Sequence, residues 1–172
     1  MNPIIQIIRK SQLRANAPRI AANPNPYGVH ILRDIPYLED GQAEHLLDVY
    51  APDRSGTPLP VIVEMHGGGY LACNKEINAQ HWQYLAGRGF RVVNMNYTLC
   101  PEGDIGTILN ELVAVLEWID AHDAEYGFDT SRVFLTGDSA GGHFVLLAAA
   151  MFTTGTSADF FHVRKPPFPI AG

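Results

Sequence analysis

Cysteine is nearly absent: only Cys73 and Cys100 occur in 172 residues. Two thiols build neither a disulfide framework nor a metal-binding quartet, and free thiols point to a reducing compartment. Charge is also scarce, at 17% of residues. An average domain carries about 25%, so much of this chain is expected to be interior. Basic charge is scarcest, with 12 Lys and Arg against 18 Asp and Glu and a net charge of −6. A phosphate backbone needs a dense basic face, which argues against nucleic acid as a partner. No apolar run reaches the ~18–20 residues of a membrane span. The apolar start at residues 3–8 has Arg9 and Lys10 behind it; a signal peptide carries its charges in front. The expected location is therefore cytoplasmic. No repeat, low-complexity tract or linker divides the chain, and 47% apolar residues suffice for one substantial core.

The periodicity places elements along it. Ile4, Ile5, Ile8 and Leu13 predict a short amphipathic helix over residues 3–16, lying on its own domain or serving as a lid or partner-binding segment. Asn23 to Gly28 breaks regular structure. Residues 29–37 and 46–50 read as strands around the turn Glu39-Asp40-Gly41, able to pair antiparallel at a sheet edge. A polar loop follows over 53–60. Residues 61–65, 90–95 and 133–135 are near-continuous apolar runs, the mark of strands covered on both faces. Between them, 77–87 and 105–119 have helical spacing, and 140–152 is apolar enough to be buried nearly all round. Alternating strands and helices predict an α/β fold, with a mostly parallel sheet and helices on both faces. Glu64 conflicts with its apolar strand and is expected to find a local hydrogen bond near the strand end.

Two motifs carry chemistry. Gly137-Asp138-Ser139-Ala140-Gly141 matches G-x-S-x-G between a strand and a helix. That context belongs to a nucleophile elbow, a strained turn that exposes a serine hydroxyl above the sheet. Gly137 and Gly141 leave room where a Cβ would clash. His66-Gly67-Gly68-Gly69-Tyr70 directly follows the strand at 61–65. Its glycines let backbone amides face a cavity, as an oxyanion hole requires. The Ala140 amide, next after the serine, is the other expected donor. A phosphate-binding loop is disfavoured, because no Lys-Ser/Thr follows and no G-x-G-x-x-G is present.

These motifs, with Leu47-Asp48-Val49-Tyr50-Ala51-Pro52 and Asn96-Tyr97-Thr98-Leu99-Cys100-Pro101-Glu102, resemble α/β-hydrolase esterases. The branch is that of the hormone-sensitive-lipase-like and BD-FAE-type carboxylesterases. The stretch Asn96–Glu102 departs from the family's tyrosine–arginine–leucine–alanine–proline–glutamate pattern at Thr98 and Cys100. The resemblance implies a hydrolase domain over 27–172 behind an N-terminal helical or extended segment over 1–26. It implies Ser139 as nucleophile and Gly67, Gly68 and Ala140 as oxyanion donors, with Gly69 an alternative to Gly67. His66 and Asp138 would support them, His66 by orienting rather than as a base. The substrate would be a small acyl ester, with no cofactor and no metal.

Half of the usual triad is missing. The family's acid and histidine lie on loops after later strands, yet only Asp159, His143 and His162 follow Ser139 as candidates. His143 is expected to be a packing and hydrogen-bonding residue of the buried helix; Asp159 and His162 are expected at the surface. Residues 166–172 resemble the start of the next central strand, so the chain reads as the N-terminal half of the fold without its C-terminal strands. Exposed sheet edges recruit other chains, which predicts a homo-oligomer or a complementing chain. The competing functions are ester hydrolysis, arylformamidase-like amide hydrolysis, and a non-catalytic hydrolase-like binding module.

Overall fold

The computed structural model describes residues 2–22, 24–52, 57–155 and 158–172. The start of the loop expected at 53–60 and Asn23 of the expected break lie outside them. The elements run α1 (Pro3–Ala21), β1 (His30–Pro36), β2 (Leu46–Ala51), β3 (Leu59–Met65), α2 (Ala79–Ala86), β4 (Arg91–Met95), α3 (Ile105–Ala121), α4 (Asp123–Tyr126), β5 (Phe128–Gly137) and α5 (Ala140–Thr154).

One sheet has the order β1-β2-β4-β3-β5. β3 pairs parallel with β4 and β5, while β2 pairs antiparallel with β1 and β4. Every strand except β2 thus points the same way, and the two early strands form the expected antiparallel edge. Alternation along the strands sends side chains to two faces. Val61, Val63, Met65, Val93 and Met95 pack with α3 and α5, whereas Tyr50 and Val92 pack with Trp82 and Ala86 of α2. Helices therefore cover both faces. α3 starts where Asp104 caps the Thr107 amide at 2.8 Å, a bond that satisfies one orphan donor of the first turn.

Two helices differ from expectation. α1 continues to Ala21, through Pro18, and buries none of its residues. Polar contacts fasten it instead of an apolar face. Arg9 donates to the carbonyls of Leu71 (2.7 Å) and Cys100 (3.0 Å) and to the Glu102 carboxylate (2.6 Å), and Gln80 donates to the Ala22 carbonyl. α5 is not buried all round. Phe144, Ala148 and Met151 face the core, while Leu146 is 73% exposed. Its composition is apolar on every side, but only one stripe has neighbours. Residues 166–172 form no strand, although Ala171 donates to the Val133 carbonyl and Leu135 to that of Gly172, laying the tail along β5. No helix among the described residues is long and apolar enough to cross a membrane.

Candidate active site

β3 and β5 run parallel with Met65 opposite Gly137. The segments that follow, 66–70 and 138–139, therefore leave the sheet at the same edge and level. This is where ligands bind in open parallel sheets. Ser139 occupies the turn between β5 and α5 with φ 51° and ψ −114°. Such a conformation is costly for a residue with a Cβ, and it is kept where the surroundings enforce it. The enforcement is visible around it. A Cβ on Gly141 would overlap the Met65 carbonyl oxygen, and one on Gly137 would overlap the Gly141 backbone. Only glycine lets the first turn of α5 sit this close to the end of β3.

The glycine-rich loop is tied to this turn. Asp138 Oδ1 accepts from the Gly67 amide at 2.9 Å and from Asn78 Nδ2 at 3.0 Å. Gly68 has φ 134° and Gly69 φ 61°, both outside ordinary side-chain territory. Gly68, Gly69, Asp138 and Ser139 line one cavity of about 420 Å³ with Ile8, Gln12, Asn16, Leu71, Cys73 and Ile77. Ala140 is buried at the first position of α5. The expected site residues are thus brought to one edge, Gly68 and Gly69 facing the same cavity as Ser139; Gly67 is the exception, because its amide is taken up by Asp138 and it does not line the cavity.

His66 lies behind the loop. Its Nδ1–H donates to the Gly67 carbonyl at 2.7 Å, and its ring stacks on Tyr97 with centroids 4.3 Å apart. Burial lowers its pKa to about 4, so the imidazole stays neutral. Tyr97 donates to the His66 carbonyl at 2.6 Å. Buried and engaged in this way, His66 does not line the Ser139 cavity. Burial raises the pKa of the Cys73 thiol, with Asp138 adding to the effect, which keeps it protonated near neutral pH.

Two expectations need correction or extension. Glu64 is completely buried, and neither carboxyl oxygen has a hydrogen-bond partner among the described residues. The expected local hydrogen bond is absent because the flanking positions across the sheet, Asn94 and Thr136, turn no donor to it. Burial, then Asp138, pushes its pKa far up, so the group is held as a neutral acid. His143 packs and hydrogen-bonds as expected, its ring edge-on to Tyr70 with Nδ1 3.4 Å from the Tyr70 hydroxyl, but it does so at an exposed position of α5 rather than in the core. Asp159 and His162 are exposed as expected, and neither they nor any other histidine lines the Ser139 cavity. The His162 carbonyl instead accepts from Asn110 of α3.

Sequence reading missed Asn78 and the α1 side chains at the cavity. Asn78 belongs to no motif. The α1 residues needed knowledge of where the helix docks, which Arg9 decides through partners 62 and 91 residues away.

The geometry has close counterparts. Esterase B from Lactobacillus rhamnosis, crystallised with a tributyrin phosphonate inhibitor, superposes with a TM-score of 0.87 at 28% identity over 96% of this chain and 54% of its own. The probable carboxylic ester hydrolase LipM of Mycobacterium tuberculosis is 37% identical over 120 residues, 67% of this chain and 27% of the relative. A probable isoprenylcysteine alpha-carbonyl methylesterase, ICMEL1 of Arabidopsis thaliana, is 31% identical over 117 residues, 68% of this chain and 24% of its own length. The chain thus spans about a quarter of these curated relatives and about half of esterase B. The BD-FAE family model matches residues 47–164, from β2 through the glycine-rich loop and the Ser139 turn to the segment after α5, and with that span the chain belongs to the BD-FAE family of α/β-hydrolase esterases.

Proposed function

We propose that this chain carries the nucleophile and the oxyanion site of a carboxylic ester hydrolase. Ser139 attacks the acyl carbonyl and forms an acyl-enzyme. Negative charge that develops on the carbonyl oxygen is met by backbone amides of Ala140 and of Gly68 and Gly69 in the glycine-rich loop, the Gly67 amide being taken by Asp138. Asp138 positions that loop through the Gly67 amide, and His66 and Tyr97 brace it from behind. Residues 1–26 act as a covering segment and 27–172 as the hydrolase body. The substrate is a small acyl ester, in keeping with the ester hydrolases among the relatives; activated amides are the runner-up, since the same apparatus accepts them.

The observation that carries this reading is the positive φ of Ser139 on the rim of a cavity shared with Gly68 and Gly69. No imidazole lines that cavity, and a serine hydroxyl without a base is a weak nucleophile. The proposal therefore takes the base from the part of the fold that the longer relatives have beyond the matched region.

A fluorophosphonate probe tests the reading. The purified chain is expected to label slowly and only at Ser139, with labelling lost in Ser139→Ala. Labelling no faster than that of the Ser139→Ala variant would overturn the assignment and favour a non-catalytic binding module.

A further inference from the structure

A second polar centre lies away from Ser139, at the β1–β2 side of the sheet. The buried His45 ring touches two carboxylates, Asp40 Oδ2 at 2.6 Å from Nδ1 and Glu111 Oε1 at 3.0 Å from Nε2. Glu111 is itself buried and accepts from the Thr98 hydroxyl (2.6 Å) and the Thr98 amide (2.8 Å). A carboxylate that receives two donors from Thr98 is an acceptor. An imidazole with an acceptor at each nitrogen satisfies both only when both nitrogens carry protons.

Thr98 opens the segment 98–102, and that segment holds two parts of the Ser139 site. The Cys100 amide donates to the Tyr70 carbonyl at 2.9 Å, fixing the end of the glycine-rich loop. The Cys100 carbonyl and the Glu102 carboxylate receive Arg9, which docks α1 over the cavity. Hydrogen bonds therefore run from Asp40 through His45 and Glu111 to Thr98, and the backbone of 98–102 connects them to the bonds that hold the glycine-rich loop on one branch and α1 on the other.

We propose that His45, held as an imidazolium between Asp40 and Glu111, is a positioning residue for the Ser139 cavity, pinning the 98–102 segment that anchors both Tyr70 and Arg9. The inference rests on the reading of that cavity as the reactive site. The groups facing His45 are Asp40 from the preceding loop, Glu111 from α3, the Thr98 hydroxyl at 3.4 Å from Nε2, and the Tyr37 ring from the end of β1 with centroids 5.5 Å apart. All are acidic or neutral, and none competes for the proton's charge. Burial lowers the His45 pKa, but the hydrogen bonds to Glu111 and Asp40 outweigh it and the net shift is upward. The sign follows: the pin is complete at and below the usual histidine pKa and is released as pH rises through the raised folded value.

The test uses the wild-type chain first. Nitrogen NMR of the imidazole at pH 7 is expected to show both His45 nitrogens protonated; a neutral single tautomer would overturn the proposal. Hydrogen exchange then reads the consequence without requiring activity. Corrected for intrinsic rates, exchange of the amides of α1 and of residues 68–72 is expected to rise about tenfold between about pH 6 and about pH 9, with α5 unchanged. In His45→Gln and Glu111→Gln the same amides are expected to exchange fast at every pH. A wild-type response that is flat, or spread evenly over the whole sheet, would overturn the proposal. If Ser139 fails to label with a fluorophosphonate while the exchange pattern holds, the functional reading fails and the pin stands.

Discussion

Gly137, Gly141 and Gly67 hold the Ser139 end of the sheet by leaving room, whereas His45, Lys75 and Glu111 hold the opposite edge by pairing charge. At the first, backbone meets backbone: the first turn of α5 lies against the Met65 carbonyl, and a single acceptor, Asp138, ties the loop to the turn. At the second, Lys75 is buried between Asp34 and Asp48, each at 2.7 Å, and His45 lies between Asp40 and Glu111. Close backbone packing tolerates no added atoms but is indifferent to pH. Buried charge tolerates some change of shape but depends on every partner keeping its protonation state. The Ser139 end is thus rigid by geometry, and the other edge is conditional on pH.

The sharpest way to break the first arrangement is Gly141→Val. Its side chain must displace the end of β3, so urea unfolding is expected to lose about 4 kcal/mol or more, with fluorophosphonate labelling abolished. A loss below about 1 kcal/mol would show that the turn can relax. Breaking the second arrangement by Glu111→Ala leaves His45 and Thr98 without their shared buried acceptor. About 3 kcal/mol is expected at pH 6, shrinking as pH rises and His45 loses its proton; a loss that is constant across pH would separate His45 from the effect.

Glu64 sharpens the comparison, because it is a buried acid with neither a backbone cradle nor a countercharge. Its folded pKa is raised, so the wild type loses stability as pH rises from the ordinary carboxyl range through the folded value. Glu64→Gln removes that dependence. The variant is expected to be more stable than wild type by about 1–3 kcal/mol at pH 7, with the gain vanishing in acid; chemical denaturation at both pH values checks it. Arg9→Ala is smaller. A part-buried, multiply bonded guanidinium is worth about 1–2 kcal/mol, and the expected result is faster hydrogen exchange in α1 with the global midpoint almost unmoved. Smallest is the activity of the chain alone: p-nitrophenyl acetate turnover is expected to be faint, and His162→Ala to leave it unaltered. Robust turnover abolished by both Ser139→Ala and His162→Ala would mean that the 158–172 tail supplies the base.

The two ends were unequally legible. The Ser139 turn and the glycine-rich loop stand out because their geometry is local: five or six consecutive residues contain the glycines and the serine, directly beside the strands, and for Ser139 the helix, that flank them. The antiparallel edge was legible for the same reason, being two alternating runs around Glu39-Asp40-Gly41. The length of α1 was not, since the apolar spacing that marks the helix ends at Leu13 although the helix runs through Pro18 to Ala21. The exposure of α5 was not, because composition reports what a helix could bury and never whether a neighbour arrives. The His45 pin was invisible: Glu111 is 66 residues from His45, and no motif joins them.

By itself the sequence determined the alternation of strands and helices, the two-sided sheet, and the place of Ser139 between β5 and α5. Those follow from periodicity and from glycines, which act on their immediate neighbours. Only the tertiary structure decided that α1 lies over the Ser139 cavity, that Glu64 has no hydrogen-bond partner among the described residues, that His143 meets Tyr70 at an exposed position, and that His45 is shared by two carboxylates. Each of these depends on which distant groups meet. Hydrogen bonds and desolvation act over a few ångströms of space, so their partners are set by the packed fold and not by distance along the chain.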